Sequence, residues 1–142
     1  MKIYKLETLK PNVIEAFKRL IPQLSEDCNV PSEKDLEDII NSECTNLFVA
    51  EENNEIIGTL SLVFNKIPTG KKAWIEDVVV DKTVRGKGVG KELILFAMKY
   101  AKEVNHTTIN LTSSPEREAA NKLYQKLGFL KRETNVYRTH LH

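Results

Sequence analysis

The stretch VVVDKTVRGKGVGKELILFAMKYA, residues 78–101, decides the fold because a β-branched run, a glycine-rich junction and a helical pattern follow one another in it. Residues 73–80 form an apolar run that suits a strand covered on both faces. After Gly88, apolar residues recur every three or four positions, which predicts a helix of about four turns packed on a sheet. A strand that leads directly into such a helix predicts a crossover to a later parallel strand, as in mixed α/β domains.

The junction between this strand and this helix predicts an anion site. A helix amino terminus leaves about four backbone N–H groups unpaired and carries roughly half a positive charge. Glycines there let the backbone approach a bulky phosphate and adopt angles barred to other residues. The glycines are Gly86, Gly88 and Gly90, and the basic residues around them are Arg85, Lys87 and Lys91. Pyrophosphate is the favoured ligand, and a tight turn without a ligand is the alternative.

Two common phosphate-binding motifs do not fit this junction. A Walker loop needs a glycine where Arg85 stands and a Ser or Thr where Glu92 stands. The dinucleotide fingerprint needs a third glycine where Lys91 or Leu93 stands. The remaining pattern is R-x-x-G-x-G, residues 85–90.

Composition and charge limit the class of protein. With 142 residues, 41% of them hydrophobic and 29% charged, the chain suits a globular protein, and we expect a single domain over residues 1–142. A net charge of +1 predicts no nucleic-acid partner. Because the sequence shows no secretion signal and no membrane-spanning apolar run, we expect a cytoplasmic protein without membrane contact. Cys28 and Cys44 lack metal-site spacing, so we expect reduced thiols and no metal.

The first half of the chain predicts a strand, two helices and a hairpin. Residues 3–7 alternate like a strand, and Pro11 opens a helical pattern. Ser32 with Asp35 three residues later marks the start of a second helix. Residues 46–64 predict two strands folded back at Asn53–Asn54.

The second half adds two strands and a helix to the glycine junction. Residues 107–112 predict the parallel strand, and a last helix is predicted from Ser114 and Pro115 to Gly128. Residues 129–141 alternate enough for a terminal strand or hairpin. The predicted fold is a mixed α/β domain with the element order β-α-α-β-β-β-α-β-α-β.

Two motifs at a set distance carry a family resemblance. About thirty residues after the glycine junction, the sequence NKLYQKLGF runs from Asn121 to Phe129. The R-x-x-G-x-G loop, this N-x-x-Y-x-x-x-G-F pattern and the element order together resemble the GNAT superfamily of acyl-CoA-dependent N-acetyltransferases. The resemblance covers nearly the whole chain. It implies a central sheet splayed after its fourth strand, acetyl-CoA as co-substrate and no need for a metal.

The resemblance implies how CoA binds. The loop backbone holds the pyrophosphate, the pantetheine arm pairs with the splayed strand edge, and the Val79 N–H bonds the thioester carbonyl. Asn121 contacts the pantetheine or phosphate region, with an exposed helix asparagine as the alternative. The implied cofactor-binding residues are Val78, Val79, Val80, Arg85, Gly86, Lys87, Gly88, Val89, Gly90, Lys91, Asn121 and Tyr124.

Two carboxylates compete for the role of general base. Acetyl transfer needs an unprotonated amine, and the family often takes the base from the strand before the loop. Glu76 and Asp77 lie there. Period-two alternation predicts that Glu76, Val78 and Val80 share one face and that Asp77 and Val79 share the other. The resemblance favours Glu76. Capping a loop or pairing with a lysine is the alternative for either carboxylate, and water is the alternative base.

Tyr124 is the implied general acid. In the family a tyrosine at this helix position commonly protonates the CoA thiolate as it leaves. The alternative is a packed core aromatic on the helix face that also carries Ala120 and Leu127.

The resemblance thus implies an acetyl-CoA-dependent N-acetyltransferase in which a primary amine attacks the bound thioester directly. A small-molecule amine is the expected acceptor, and inward-facing Glu26 and Asp27 would favour a cationic one. Three alternatives stay open: a module that senses acyl-CoA without turnover, a structural or regulatory partner domain, and an acetyltransferase for protein amino termini or lysines. A homodimer through the C-terminal strand is also left open.

Overall fold

The computed structural model describes residues 1–106 and 108–142. This part of the chain forms two compact units, residues 1–111 and residues 112–142. The sheet lies in the first unit, and the last helix lies in the second. A single domain over residues 1–142 stays a prediction.

A five-stranded mixed sheet forms the centre of the first unit. Its strands in spatial order are β1 (Lys2–Lys5), β2 (Thr45–Glu52), β3 (Glu55–Ile67), β4 (Gly70–Val80) and β5 (Ile109–Asn110). Strands β1 to β4 pair antiparallel with their neighbours, and β5 pairs parallel to β4. The predicted mixed α/β fold class is confirmed.

Three α-helices accompany this sheet among the described residues. They are α1 (Pro11–Leu20), α2 (Glu33–Ile40) and α3 (Val89–Glu103). α1 begins at Pro11, because the first turn of a helix does not need the N–H that proline lacks. The predicted cap of α2 is confirmed: the Asp35 amide donates to Ser32 Oγ at 3.1 Å, and the Ser32 amide donates to the Asp35 carboxylate at 2.9 Å.

Apolar side chains cover the two faces of the sheet. On one face, residues of α1 and α2 such as Phe17 and Leu36 join a buried cluster with strand residues that include Val79. On the other face, the Phe48 ring of β2 meets Phe96 and Tyr100 of α3 edge-on, with centroids 5.0 and 5.2 Å apart. Each fully buried side chain of this size contributes about 1.5–3 kcal/mol.

The second unit contains α4 (Glu118–Lys126). α4 begins later than predicted, because residues 114–117 form a turn closed by the Arg117 amide, which donates to the Ser114 carbonyl at 3.1 Å. The predicted terminal strand or hairpin is wrong: residues 129–142 contain no strand. Alternation reports which face each side chain would take, but a strand also needs a hydrogen-bonding partner, which alternation does not supply.

No helix within residues 1–106 and 108–142 has the length and apolar character required to cross a lipid bilayer.

Candidate cofactor and active site

The glycine-rich loop connects the end of β4 to the first turn of α3. Gly88 is the N-cap of α3 and adopts φ 82° and ψ 10°, in the left-handed region. Gly86 has φ 84°. A Cβ placed on either glycine would meet no atom within 4 Å. The backbone angle, and not crowding, is therefore what requires glycine at both positions.

The backbone of this loop offers a row of hydrogen-bond donors. The Glu92 amide donates to the Gly88 carbonyl at 3.0 Å, which begins the helical ladder. The amides from Arg85 to Lys91 have no hydrogen-bond acceptor among the described residues. This row brings together seven of the predicted cofactor-binding residues, which are Arg85, Gly86, Lys87, Gly88, Val89, Gly90 and Lys91. Free amides at a helix amino terminus are the arrangement that binds phosphate groups.

Gly90 differs from the other two glycines of the loop. It lies inside the first turn of α3, and its φ is not positive. A Cβ at this position would meet Val80 Cγ2 at 3.6 Å, an ordinary van der Waals distance. Gly90 is thus not required by its backbone angle.

Strand β4 separates from β5 soon after it begins. The two strands pair only at Ala73 with Ile109 and at Trp74 with Asn110. Over residues 75–80, the β5 side of β4 has no strand partner among the described residues. The predicted splay is therefore present, and the open edge leads directly into the loop.

A bulge interrupts the ladder between β3 and β4 beside this open edge. Ser61 pairs with Glu76 and Thr59 pairs with Val79, so that one residue of β3 faces two residues of β4. Asp77 is one of the two and has φ 49°, in the left-handed region. An extra residue of this kind moves every later side chain to the opposite face of the strand.

The predicted alternation of β4 is therefore wrong beyond Glu76. Val79 shares the face of Glu76 and packs in the cluster formed with α1 and α2. Val80 shares the face of Ile75 and lies beneath the first turn of α3. Alternation alone could not show this, because the bulge is a property of the pairing between two strands.

The bulge also determines where backbone groups of β4 point. The Asp81 amide donates to the Ile57 carbonyl at 2.8 Å. Since hydrogen-bonded pairs recur every second residue in an antiparallel ladder, Val79 bonds to Thr59 on β3. Val80, which lies between Val79 and Asp81, therefore directs its backbone groups to the open edge. In agreement, Arg85 Nε reaches this edge and donates to the Val80 carbonyl at 3.1 Å.

Glu76 and Asp77 lie exposed at the bulge. Partial burial raises the pKa of Glu76, and the negative charge of Asp77 raises it further. A carboxylate whose pKa moves toward neutral pH becomes a more effective general base. Among these two carboxylates, the raised pKa therefore favours Glu76 as a proton acceptor relative to an ordinary glutamate.

Tyr124 and Asn121 belong to the second unit. The Tyr124 side chain is buried, and its ring lies 6.0 Å from that of Phe129. Burial raises the pKa of Tyr124, and the Arg117 charge opposes this effect. The Tyr124 phenol therefore keeps its proton at neutral pH, as a general acid must.

Asn121 Nδ2 donates to the Ser114 carbonyl at 3.0 Å, a contact within its own unit.

No sequence pattern pointed to Arg19, Gln23 or Asp81 as residues of the site. These residues connect α1 to the start of the loop, and Arg19 lies 62 positions before Asp81 in the chain. The Thr83 amide lowers the pKa of Asp81; burial opposes this effect, and Arg19 and the Thr83 hydroxyl lower the pKa further. An aspartate two residues before a threonine is a local turn signal, but no local pattern predicts its distant partner.

In the described part of the chain, no three His, Cys, Asp or Glu side chains lie together in an arrangement able to hold a metal ion.

Comparison with known proteins places the chain in a family. The model of the acetyltransferase (GNAT) family matches residues 12–129. This is most of the chain, and the protein therefore belongs to the GNAT family of acetyltransferases.

Two sequence relatives and one solved structure illustrate the match. The chain is 34% identical over 89 residues to an uncharacterised N-acetyltransferase of Methanocaldococcus jannaschii, which covers 61% of this chain and 39% of that protein. It is 36% identical over 95 residues to a glucosamine 6-phosphate N-acetyltransferase of Trypanosoma brucei brucei, covering 65% and 63%. The crystal structure of glucosamine-6-phosphate N-acetyltransferase from Arabidopsis thaliana matches with a TM-score of 0.80 at 29% identity over 97% of each chain. The alignments with these two sequence relatives span less than two thirds of the relatives' own length.

Proposed function

We propose that the protein transfers an acetyl group from acetyl-CoA to a primary amine of a small acceptor, by direct attack of the amine on the bound thioester. One observation carries the proposal: the free amides from Arg85 to Lys91 lie where the open edge of β4 ends. A pyrophosphate bound at these amides would leave the rest of an extended carrier beside that edge. Membership of the GNAT family supports the same chemistry.

The open edge of β4 suits the pantetheine arm. An extended ligand can add to an exposed strand edge by hydrogen bonds to the backbone. The ladder commits the Val79 amide to β3, whereas Val78 lies in the bulge, outside the regular hydrogen-bonded pairs. The bulge therefore favours the Val78 amide as the donor to the thioester carbonyl, where negative charge develops during attack.

Glu76 is the proposed base for the acceptor amine. An alkylamine with a pKa of about 10 is mostly protonated at neutral pH, so that its proton must leave before attack. Glu76 lies on β4 next to the open edge, and its raised pKa improves it as an acceptor of that proton. Asp77, or a water molecule held by either carboxylate, is the alternative.

The acceptor is proposed to be a small amine. Two of the compared proteins are named for glucosamine 6-phosphate, which makes amino sugars a reasonable first choice. On β4, Lys72 and Trp74 precede Glu76 at every second position of the regular ladder and so share its face. A cation, an aromatic ring and a carboxylate in a row suit a polar amine that also carries an anionic group.

A panel of amines tests the proposed function. We expect free CoA thiol to be released from acetyl-CoA when the panel contains the acceptor, with hexosamine 6-phosphates, polyamines, amino acids, aminoglycosides and peptide amines as members. CoA binding without thiol release across the panel would favour a sensing module. If CoA does not raise the melting temperature, the loop is only a turn and the proposal fails.

Tyr124→Phe tests the general acid. Removing the phenol should lower kcat by about 10-fold or more, because the thiolate then leaves without a proton donor, while acetyl-CoA affinity stays near the wild-type value. Tyr137→Phe is the matched control, since Tyr137 is an exposed tyrosine of the same unit. Steady-state kinetics and CoA titration measure both effects. Wild-type turnover in Tyr124→Phe would show that the ring is only packed.

A further inference from the structure

An ion pair from α1 holds the residue that opens the loop. Arg19 Nε donates to Asp81 Oδ2 at 2.9 Å, and the same guanidinium donates to the Ile56 carbonyl. Asp81 is only 5% exposed. Its other oxygen, Oδ1, accepts from the Thr83 amide and the Thr83 hydroxyl, both at 3.1 Å. Both carboxylate oxygens of Asp81 are therefore engaged, one by α1 and one by the loop.

A second contact, from the 3-10 helix Ile21–Gln23 that follows α1, fixes the next residue. Gln23 Oε1 accepts from the Lys82 amide at 2.8 Å, and Gln23 Nε2 donates to the Arg19 carbonyl at 3.2 Å. Arg19 and Gln23 are thus connected to one another as well as to the loop. These anchors hold residues 81–83, and the row of free amides begins at Arg85.

We propose that Arg19 and Asp81 are positioning residues for the cofactor loop: their ion pair holds the free amides in the arrangement that binds the CoA pyrophosphate without itself contacting CoA. This inference rests on the proposed function. A loop held in its binding geometry before the ligand arrives loses less conformational freedom on binding, which increases affinity. Because the pair lies outside the reacting atoms, it sets cofactor affinity and leaves the chemical step alone.

The structure supplies a matched control for this role. Arg19 also pairs with Glu55 at 3.5 Å, but the Glu55 side chain is 63% exposed, and this contact does not lead to the loop. Asp81→Asn and Glu55→Gln each remove the charge of one carboxylate that pairs with the Arg19 guanidinium. If only the loss of negative charge near Arg19 mattered, both variants would bind CoA more weakly. If loop positioning matters, only Asp81→Asn does so.

The test is a titration of the full-length wild-type protein and both variants with CoA, by calorimetry at a temperature well below unfolding. We expect Asp81→Asn to raise the Kd for CoA by about 10-fold or more and Glu55→Gln to leave it within about 2-fold. In steady-state kinetics with an acceptor from the amine panel, Asp81→Asn should raise the KM for acetyl-CoA while kcat stays near the wild-type value. The double variant Arg19→Gln with Asp81→Asn should bind CoA no more weakly than Asp81→Asn alone, because both changes break one interaction.

If Asp81→Asn does not fold, Gln23→Ala tests the inference instead, because it leaves the ion pair between Arg19 and Asp81 intact. We expect it to raise the Kd for CoA by about 3-fold, the effect of one lost hydrogen bond to the loop. Two results for a folded Asp81→Asn would overturn the inference while the proposed function stands: a wild-type Kd, or a fall in kcat without a change in affinity. If Asp81→Asn does not fold, a wild-type Kd in Gln23→Ala would overturn it. If the wild-type protein does not bind CoA, the proposed function fails first and the inference falls with it.

Discussion

Gly88→Val is expected to reduce CoA binding below detection, a loss of about 100-fold or more in affinity. Gly88 has φ 82°, and a β-branched residue held in that region costs about 1–3 kcal/mol. The chain can avoid this cost by changing the backbone angles at the start of α3. That change would redirect the amides from Arg85 to Lys91, which form the proposed pyrophosphate site.

Two further variants separate backbone angle from other effects. Gly88→Asn should bind CoA with intermediate affinity, because asparagine tolerates the left-handed region better than valine does. Gly90→Ala should bind like the wild type, since Gly90 needs no positive φ and its Cβ would sit 3.6 Å from Val80. Calorimetry gives the affinities, and circular dichroism checks that each variant is folded. Wild-type affinity in a folded Gly88→Val would disprove the loop as the anion site.

Glu76→Gln is expected to lower kcat by about 100-fold or more, within the range that general base catalysis provides. The wild-type rate should fall at low pH as Glu76 becomes protonated. Because the pKa of Glu76 is raised, this fall should occur at a higher pH than for an ordinary glutamate, whose pKa is about 4.3. The variant should lack this part of the profile, and acetyl-CoA affinity should change little. Rate measurements over pH at saturating substrates test the prediction.

Asp77→Asn distinguishes the two carboxylates. Asparagine suits the left-handed angle of residue 77, so the bulge should remain. Removing the negative charge of Asp77 lowers the pKa of Glu76, and the acidic fall in rate should move to lower pH with the maximal rate preserved. If Asp77→Asn instead abolishes turnover while Glu76→Gln is active, the base is Asp77. Normal pH profiles in both variants would assign the role to water.

Local patterns in the sequence predicted the elements and the loop well, because their causes are local. The cap at Ser32, the turn at Asn53–Asn54 and the glycine junction each depend on a few neighbouring residues. The splay of β4 from β5 followed from the family resemblance and is present in the structure.

The errors concern features that depend on distant partners. The bulge at Asp77 exists only relative to β3, and alternation along β4 alone therefore placed Val79 and Val80 on the wrong faces. The contact between Arg19 and Asp81 joins residues from different elements, and neither residue has a local pattern that names the other. Residues 129–141 alternate like a strand, yet a strand also requires a neighbour with free backbone groups.

Because of the bulge, natural variants must keep the number of residues in β4. Losing the codon for Asp77 would bring the two halves of the strand into phase and turn either Val79 and Val80 or Ala73 and Ile75 to the wrong side. Losing one of the two residues at the exposed tip, Pro68 or Thr69, would open only the last pair, Ile67 with Gly70, and would leave the register of the rest of the ladder unchanged. Deletions among natural variants should therefore concentrate at the tip, and a gap at the bulge should be as harmful as a polar residue in the core.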